Sequence, residues 1–369
     1  MIALERLVLL TALILLPWAV DAQTDPLYPK VEPGYRMTFP RDEGSHPQFR
    51  TEWWYVTGWV QDERGTQRGF QLTFFRSRAA AQGKQNPSRF APRQLLFAHA
   101  ALSDPSAGHL LHAQRAARVG FGLAQAQEGS ATVFIDDWSL LQSAQSYAIK
   151  LGSEDFALNL LLTQTQPPLL QGDAGYSRKG ADPSLASYYY SIPHLRVQGE
   201  IAVAGRALRV TGTAWFDHEW SSTLLDEQAT GWDWMGINLT DGGALTAFRI
   251  RDVQGNSRWS SATRRGTSSD SCSGSTSTSG AARNDQSVWK ELRRWRSSRT
   301  GISYPVEWRV AIGSCEVILR PLFDDQESDS RASTGTIYWE GAVQAFDPQG
   351  RLLGRGYLEL TGYGSRLRL

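Results

Sequence analysis

Leu208-Arg209-Val210-Thr211-Gly212-Thr213-Ala214-Trp215-Phe216-Asp217-His218-Glu219-Trp220 sets an apolar or small residue at every second position. Successive side chains of an extended chain point to opposite sides, so a period of two marks a strand whose faces meet different surroundings. Continued through its end, the strand puts Phe216, His218 and Trp220 on its more apolar face and Trp215, Asp217 and Glu219 on the other. Phe70-Gln71-Leu72-Thr73-Phe74 repeats the pattern. The runs 53–60, 95–102, 156–162 and 232–239 are apolar on both faces, as expected where one face packs a core and the other meets a lumen. Asp62-Glu63-Arg64-Gly65, Thr240-Asp241-Gly242-Gly243 and Asp347-Pro348-Gln349-Gly350 separate strand-like runs at the spacing of hairpins. About fifteen candidate strands, with no amphipathic helix beyond three turns, predict an all-β protein of barrels or sandwiches.

The chain of 369 residues is long enough for two domains. Comparable sets of strands lie on either side of Gly199–Gly205, which predicts units at 46–203 and 204–369 after an extension at 23–45; one continuous large sheet is the alternative. Residues 1–22 read as a signal peptide. Arg6 precedes the apolar run Leu7–Leu16, and Val20-Asp21-Ala22 supplies small residues for cleavage after Ala22. That run is too short to span a bilayer, so the mature chain is expected to be periplasmic or secreted and not membrane-spanning. Residues 257–285 are rich in Ser, Thr and Gly and predict a disordered surface loop.

With 38 Lys+Arg against 37 Asp+Glu the net charge is +1, which argues against nucleic acid or an anionic membrane as a partner bound through bulk charge. Trp289-Lys290-Glu291-Leu292-Arg293-Arg294-Trp295-Arg296 reads accordingly as a solvated strand edge. Fourteen Trp, 12 Tyr and 14 Phe provide large apolar faces for a broad core or a cavity. Cys272 and Cys315 are candidates for one disulfide in an exported protein. His109 and His112 lack a third ligand, so no metal or other cofactor is expected.

Two clusters carry chemistry. In Glu52-Trp53-Trp54-Tyr55-Val56, Glu52 shares a face with Trp54 and Val56 while Trp53 and Tyr55 take the other. Burial would raise the Glu52 carboxyl and make it a general acid; pairing with an Arg or a backbone N–H is the alternative. Asp217, His218 and Glu219, hemmed by aromatics, have the side chains for proton transfer or for a strand-end hydrogen-bond network. Ser221 and Ser222 lie close by, but no G-x-S-x-G elbow supports a serine hydrolase. Tyr188 and Tyr190, Trp232 and Trp234, and Trp339 beside Tyr338 and Glu340 supply aromatic faces for core or ligand. His99 is either a core histidine or a polar point in a greasy pocket.

His46-Pro47-Gln48-Phe49-Arg50-Thr51-Glu52-Trp53-Trp54-Tyr55, Phe97-Ala98-His99-Ala100, Ser187-Tyr188-Tyr189-Tyr190-Ser191, Trp215-Phe216-Asp217-His218-Glu219-Trp220, Gly231-Trp232-Asp233-Trp234 and Tyr338-Trp339-Glu340-Gly341 together resemble the AttH/CrtC family. The resemblance runs from about residue 40 to residue 363 and implies two tandem lipocalin-like β-barrel domains. One branch resembles carotenoid 1,2-hydratase, which adds water to an isoprenoid double bond without a cofactor; another is the AttH component of an ABC transport system. Fungal pericyclases share the architecture. His218 and Trp220 occupy the Asp-His-x-aromatic motif of the hydratase branch, with Glu219 in place of its Asn and no match to its further Tyr and Asp in 245–250.

The expected function is an exported protein that binds an elongated isoprenoid- or lipid-like molecule and serves an ABC transporter. The alternative is a cofactor-free lyase of the carotenoid 1,2-hydratase kind. The catalytic candidates are Asp217, His218 and Glu52; the ligand-binding candidates are Trp53, Trp54, Tyr55, His99, Tyr188, Tyr190, Trp220, Trp232, Trp234 and Trp339.

Overall fold

The computed structural model describes residues 28–78, 92–266 and 283–367. The expected signal peptide and Cys272 lie outside them. Besides a 3-10 turn at Arg41–Glu43, the regular elements are strands: β1 (Thr51–Asp62), β2 (Gln67–Arg78), β3 (Gln94–Ser103), β4 (Leu111–Arg118), β5 (Ala124–Ala126), β6 (Val133–Ile135), β7 (Trp138–Ser143), β8 (Ser146–Gly152), β9 (Phe156–Thr163), β10 (Leu169–Leu170), β11 (Tyr176–Arg178), β12 (Ala186–Val203) and β13 (Arg206–Thr223). After a connection over residues 224–230 come β14 (Gly231–Leu239), β15 (Ala244–Arg251), β16 (Ser257–Arg265), β17 (Arg283–Asp285), β18 (Ser287–Arg296), β19 (Ser303–Ile312), β20 (Cys315–Pro321), β21 (Glu327–Ser330), β22 (Thr336–Phe346) and β23 (Leu352–Leu360). The short strands β5, β6, β10, β11, β17 and β21 raise the number above the fifteen expected, because two to four residues are too few to show a period.

β1–β13 form one sheet, ordered β4-β3-β2-β1-β13-β12-β9-β8-β7-β6-β5 with β10 and β11 also on β12. It curls into a nearly closed barrel. β14–β23 form the second sheet, a half-barrel ordered β17-β16-β15-β14-β23-β22-β20-β19-β18 with β21 on β22. The fold is therefore all-β with two lipocalin-like units.

Two sequence expectations are corrected. Gly199–Gly205 is not a boundary: Val203 pairs with Arg206 across a two-residue turn of Ala204 and Gly205, and β12 and β13 stay neighbours in the first sheet. Both turn residues have positive φ, 50° and 71°, the backbone twist that closes a tight hairpin. The change of sheet falls instead between Thr223 and Gly231. Within the expected loop at 257–285, Ser257–Arg265 is strand β16, laddered along β15 from Ala244 to Arg251. Ser and Thr compete for turns only where no neighbouring strand satisfies the backbone. Cys315 is buried and disulfide-bonded.

The period of two divides each long strand between two destinations. Trp54, Val56 and Val60 of β1 join Phe70, Leu72 and Phe74 inside the first barrel. Met235 and Ile237 of β14 join Trp308 and Leu358 inside the second. The other faces meet each other: Tyr55, Trp59 and Trp215 pack against Trp234, Phe248 and Tyr357. Trp59 Nε1 donates to Gly356 O across this seam at 2.8 Å. Close approach depends on Gly69, where a Cβ would lie 2.5 Å from Tyr357 Oη and 2.6 Å from Ala342 Cβ. Gly69→Val is expected to lower stability by about 1–3 kcal/mol by overpacking the seam, read as a fall in the urea midpoint. An unchanged midpoint would show that the sheets have slack there.

Candidate active site

The seam encloses a cavity of about 90 Å3, walled by Trp53, Tyr55, Phe75, Tyr189, Trp232 and Trp234 and set with Asp217, Glu219, Glu340, Glu359 and Lys179. A groove of about 430 Å3 adjoins it; Thr51, Leu224 and Leu225 line both, and Arg50 and Arg366 also line the groove. The cavity thus draws on the outer faces of β1, β2, β12 and β13 from one sheet and of β14, β15, β22 and β23 from the other.

Asp217 lines it and is completely enclosed by polar partners. Trp215 Nε1 donates to Oδ1 at 2.7 Å and Tyr189 Oη to Oδ2 at 2.9 Å, while Ser191 Oγ also donates to Oδ1. Tyr189 accepts in turn from Trp234 Nε1 at 3.0 Å. Burial pushes the Asp217 carboxyl up and the three donors pull it back, leaving it at about 7. A group balanced there gives or takes a proton at neutral pH with little cost in either direction.

Glu219 pairs with Lys179 at 2.8 Å, and the Lys179 ammonium lies over the rings of Phe248 at 4.2 Å and Tyr189 at 5.0 Å. On the opposite wall Glu340 and Glu359 are direct cross-strand partners of β22 and β23. Burial raises both, Glu359 to about 7, and the charge of Glu359 pushes Glu340 further. Like charges on neighbouring buried groups oppose each other's ionisation. Trp232 Nε1 donates to Glu359 Oε2 at 2.8 Å. The Glu340 carboxyl faces the Tyr55 and Tyr338 hydroxyls, whose hydrogen bonds pull it partly back down.

Glu52 and His218 are elsewhere, inside the first barrel. Arg76 Nε donates to Glu52 Oε2 at 2.7 Å, His46 Nδ1 lies 2.8 Å and His218 Nε2 3.0 Å from Oε1, and the His46 backbone N–H donates to both oxygens. Burial acting alone would raise Glu52, but the two imidazoles and the Arg76 charge hold it well below the usual carboxylate range. This corrects its reading as a proton donor: pairing and desolvation act with opposite signs, and here pairing wins. Burial lowers His218, whose ring donates from Nε2 and meets Tyr190 Oη at Nδ1. Burial would also lower His46, but Asp42 and Glu52 more than offset it and raise the ring. Donor atoms of His46, Glu52 and His218 lie within 4.8 Å of one another, a spacing that a metal ion accepts. The Arg76 guanidinium on the same carboxylate supplies the positive charge a cation would bring, so the cluster is closed as it stands.

The aromatic candidates divide the same way. Trp53, Tyr55, Trp232 and Trp234 line the cavity. Trp54, Tyr188, Tyr190 and Trp220 are packed in the first barrel, where Trp220 stacks on His46 at 3.8 Å. Trp339 belongs to the second core and donates to Asp324 O at 2.7 Å. His99 bridges the sheets, 2.8 Å from Tyr338 Oη and 2.9 Å from Ser333 Oγ, and burial lowers it to about 3, so its ring is neutral. Tyr189, Lys179 and Glu359 were not among the sequence candidates. Alternation alone places Tyr189 opposite Tyr188 and Tyr190, and Glu340 and Glu359 stand out as acids within apolar runs; no sequence signal marks Lys179.

The sequence profile of the AttH-like family matches residues 30–363. Among solved structures, a protein of Nitrosomonas europaea assigned to AttH is 47% identical over 91% of this chain and 99% of that chain, with a TM-score of 0.82. Kievitone hydratase from Nectria haematococca is similar at 13% identity over 93% of this chain and 95% of its own, TM-score 0.66. CghA with Sch210972 is similar at 13% over 89% and 97%, TM-score 0.51. The last two share the fold. No curated protein matches the sequence.

Proposed function

The chain belongs to the AttH-like family, and from that premise we propose that the cavity between its sheets takes the unsaturated end of an elongated, isoprenoid- or lipid-like molecule and adds water across its double bond without a cofactor. The observation that carries this reading is Asp217, buried among aromatic rings with its carboxyl at about 7. The acid gives its proton to the less substituted alkene carbon. The π pair forms the C–H bond, and the tertiary cation is faced by the rings of Trp53, Trp232 and Trp234. A water oxygen then bonds to the cationic carbon and returns one proton to the Asp217 carboxylate, so alkene and water are consumed and a tertiary alcohol leaves. A cavity of about 90 Å3 fits one end of such a molecule, and the adjoining groove fits the rest.

The setting proposed is the periplasm or the exterior, reached through removal of residues 1–22. The experiment is extraction of small molecules from protein purified from its native envelope, followed by incubation of the extracted molecule with fresh protein in heavy-oxygen water. One labelled oxygen at a former double bond is the expected result. A ligand returned unchanged would replace the lyase by a carrier serving an ABC transport system, and release of an ester or amide fragment would overturn both.

A further inference from the structure

We propose that a separate groove, where the two sheets meet at Trp59, binds an oxyanion carried on a hydroxylated molecule, the chemistry shared by sugar acids and sugar phosphates. The groove holds about 400 Å3 and is lined by Trp59, Arg196 and three glutamines of the first sheet and by Arg355 of the second. Trp59 follows Tyr55 on β1 by about 13 Å at the rise of a strand, and no residue lines both groove and cavity. Among the described residues, no acidic side chain lines the groove and neither guanidinium has a carboxylate partner. Elsewhere in the second sheet Arg249 and Arg251 are both held by Asp233. The Arg355 guanidinium lies over the Trp59 ring at 5.4 Å, and its Nε is buried without a partner. Buried polar atoms are normally satisfied, so this orphaned donor marks where an acceptor belongs.

Charge and geometry select the oxyanion. A guanidinium presents its N–H groups as a planar fork, which matches two oxygens of a carboxylate or a phosphate. Trp59 is fixed from behind, its Nε1 donating to Gly356 O at 2.8 Å, so the ring and the guanidinium stacked on it hold their places before a ligand arrives. The rest of the lining selects the carrier. Gln67, Gln61, Thr211 and Gln198 form one cross-strand row, and Trp59, Thr213 and Arg196 form the next row on the same face. Amides and hydroxyls both donate and accept hydrogen bonds, as the hydroxyls of a sugar require. A bare ion cannot span the two rows, and an apolar chain gains nothing from them. The inference goes beyond the hydration reading and does not require it.

Calorimetric titration with glucuronate, glucose 6-phosphate, glucose and inorganic phosphate is the test. One of the two charged sugars is expected to bind at least about tenfold more tightly than either glucose or inorganic phosphate, and which one does so separates a sugar acid from a sugar phosphate. In Arg355→Met that preference over glucose is expected to fall to about one. Arg355→Lys keeps the charge but loses the fork, and should fall between the two. Arg196 is exposed, so Arg196→Met should weaken the charged sugar at least about threefold with the melting temperature unchanged, which keeps the test open if Arg355→Met fails to fold. No binding of either charged sugar, glucose or inorganic phosphate binding as tightly, or a preference that survives the methionine variants would each overturn the proposal. None of these outcomes bears on Asp217, whose role is decided separately by turnover.

Discussion

Glu52→Gln is expected to destabilise the first barrel by about 3–5 kcal/mol, a large share of the roughly 5–15 kcal/mol that holds a typical protein folded. The carboxylate is completely buried and answers three partners from separate parts of the chain: Arg76 on β2, His218 on β13 and His46 ahead of β1. The amide keeps the shape and removes the charge, so Arg76, itself fully buried, is left as an uncompensated cation. Urea unfolding measures the loss, and Glu52→Gln combined with Arg76→Met should recover part of it because both charges then leave together. The acid limb gives a second reading. Glu52 is lowered in the folded protein, so its contribution is present above the ordinary carboxylate value of 4.5 and fades as pH falls toward the folded value. The wild type should therefore lose stability on acidification more steeply than the variant. A single variant within about 0.5 kcal/mol of wild type would show that the cluster holds nothing together.

Asp217→Asn separates binding from chemistry. Loss of the proton donor is expected to reduce turnover by about 10²–10⁴-fold while the ligand's affinity stays within about threefold, because the aromatic walls are untouched. The amide fits: its oxygen can accept from Trp215 and Ser191, and Tyr189 can turn its hydroxyl to accept from the new N–H. In the wild type, activity should fall as pH rises through about 7, where the acid form is lost. Stability moves the other way. A folded value near 7 against 3.8 unfolded means that the folded state holds the extra proton, so stability declines as pH rises from about 4 to about 7. The asparagine variant lacks that decline and should exceed the wild type at pH 8 by up to about 4 kcal/mol. Full turnover in the variant would remove Asp217 from the reaction, and a wild type no less stable than the variant at pH 8 would show the carboxyl ionised at little cost.

These two acids show how far the sequence reaches. Both stand in strands of unmistakable alternation, and the faces assigned to them, Glu52 with Trp54 and Asp217 with Trp215, are the faces they occupy. Burial was legible in each case from aromatic neighbours. The direction of each carboxyl was not, because burial raises an acid while a buried cation lowers it, and the partner decides the sign. Arg76 lies on the next strand in register, Cα-paired with Glu52, yet nothing in Phe74-Phe75-Arg76-Ser77 announces that its guanidinium turns inward.

The boundary of the two sheets is hidden in the sequence for a related reason. A hairpin turn and a domain linker can both be short and glycine-containing, and Ala204-Gly205 is distinguished only by the ladder that continues across it. The amino-acid sequence by itself determined that the protein is all-β and which side chains share a face, since a period of two is a property of the extended backbone. Only the tertiary structure decided what each face meets. Lys179, Tyr189, Glu340 and Glu359 come to one cavity because two curved sheets lay their outer surfaces together, and no local pattern encodes contacts between strands more than a hundred residues apart.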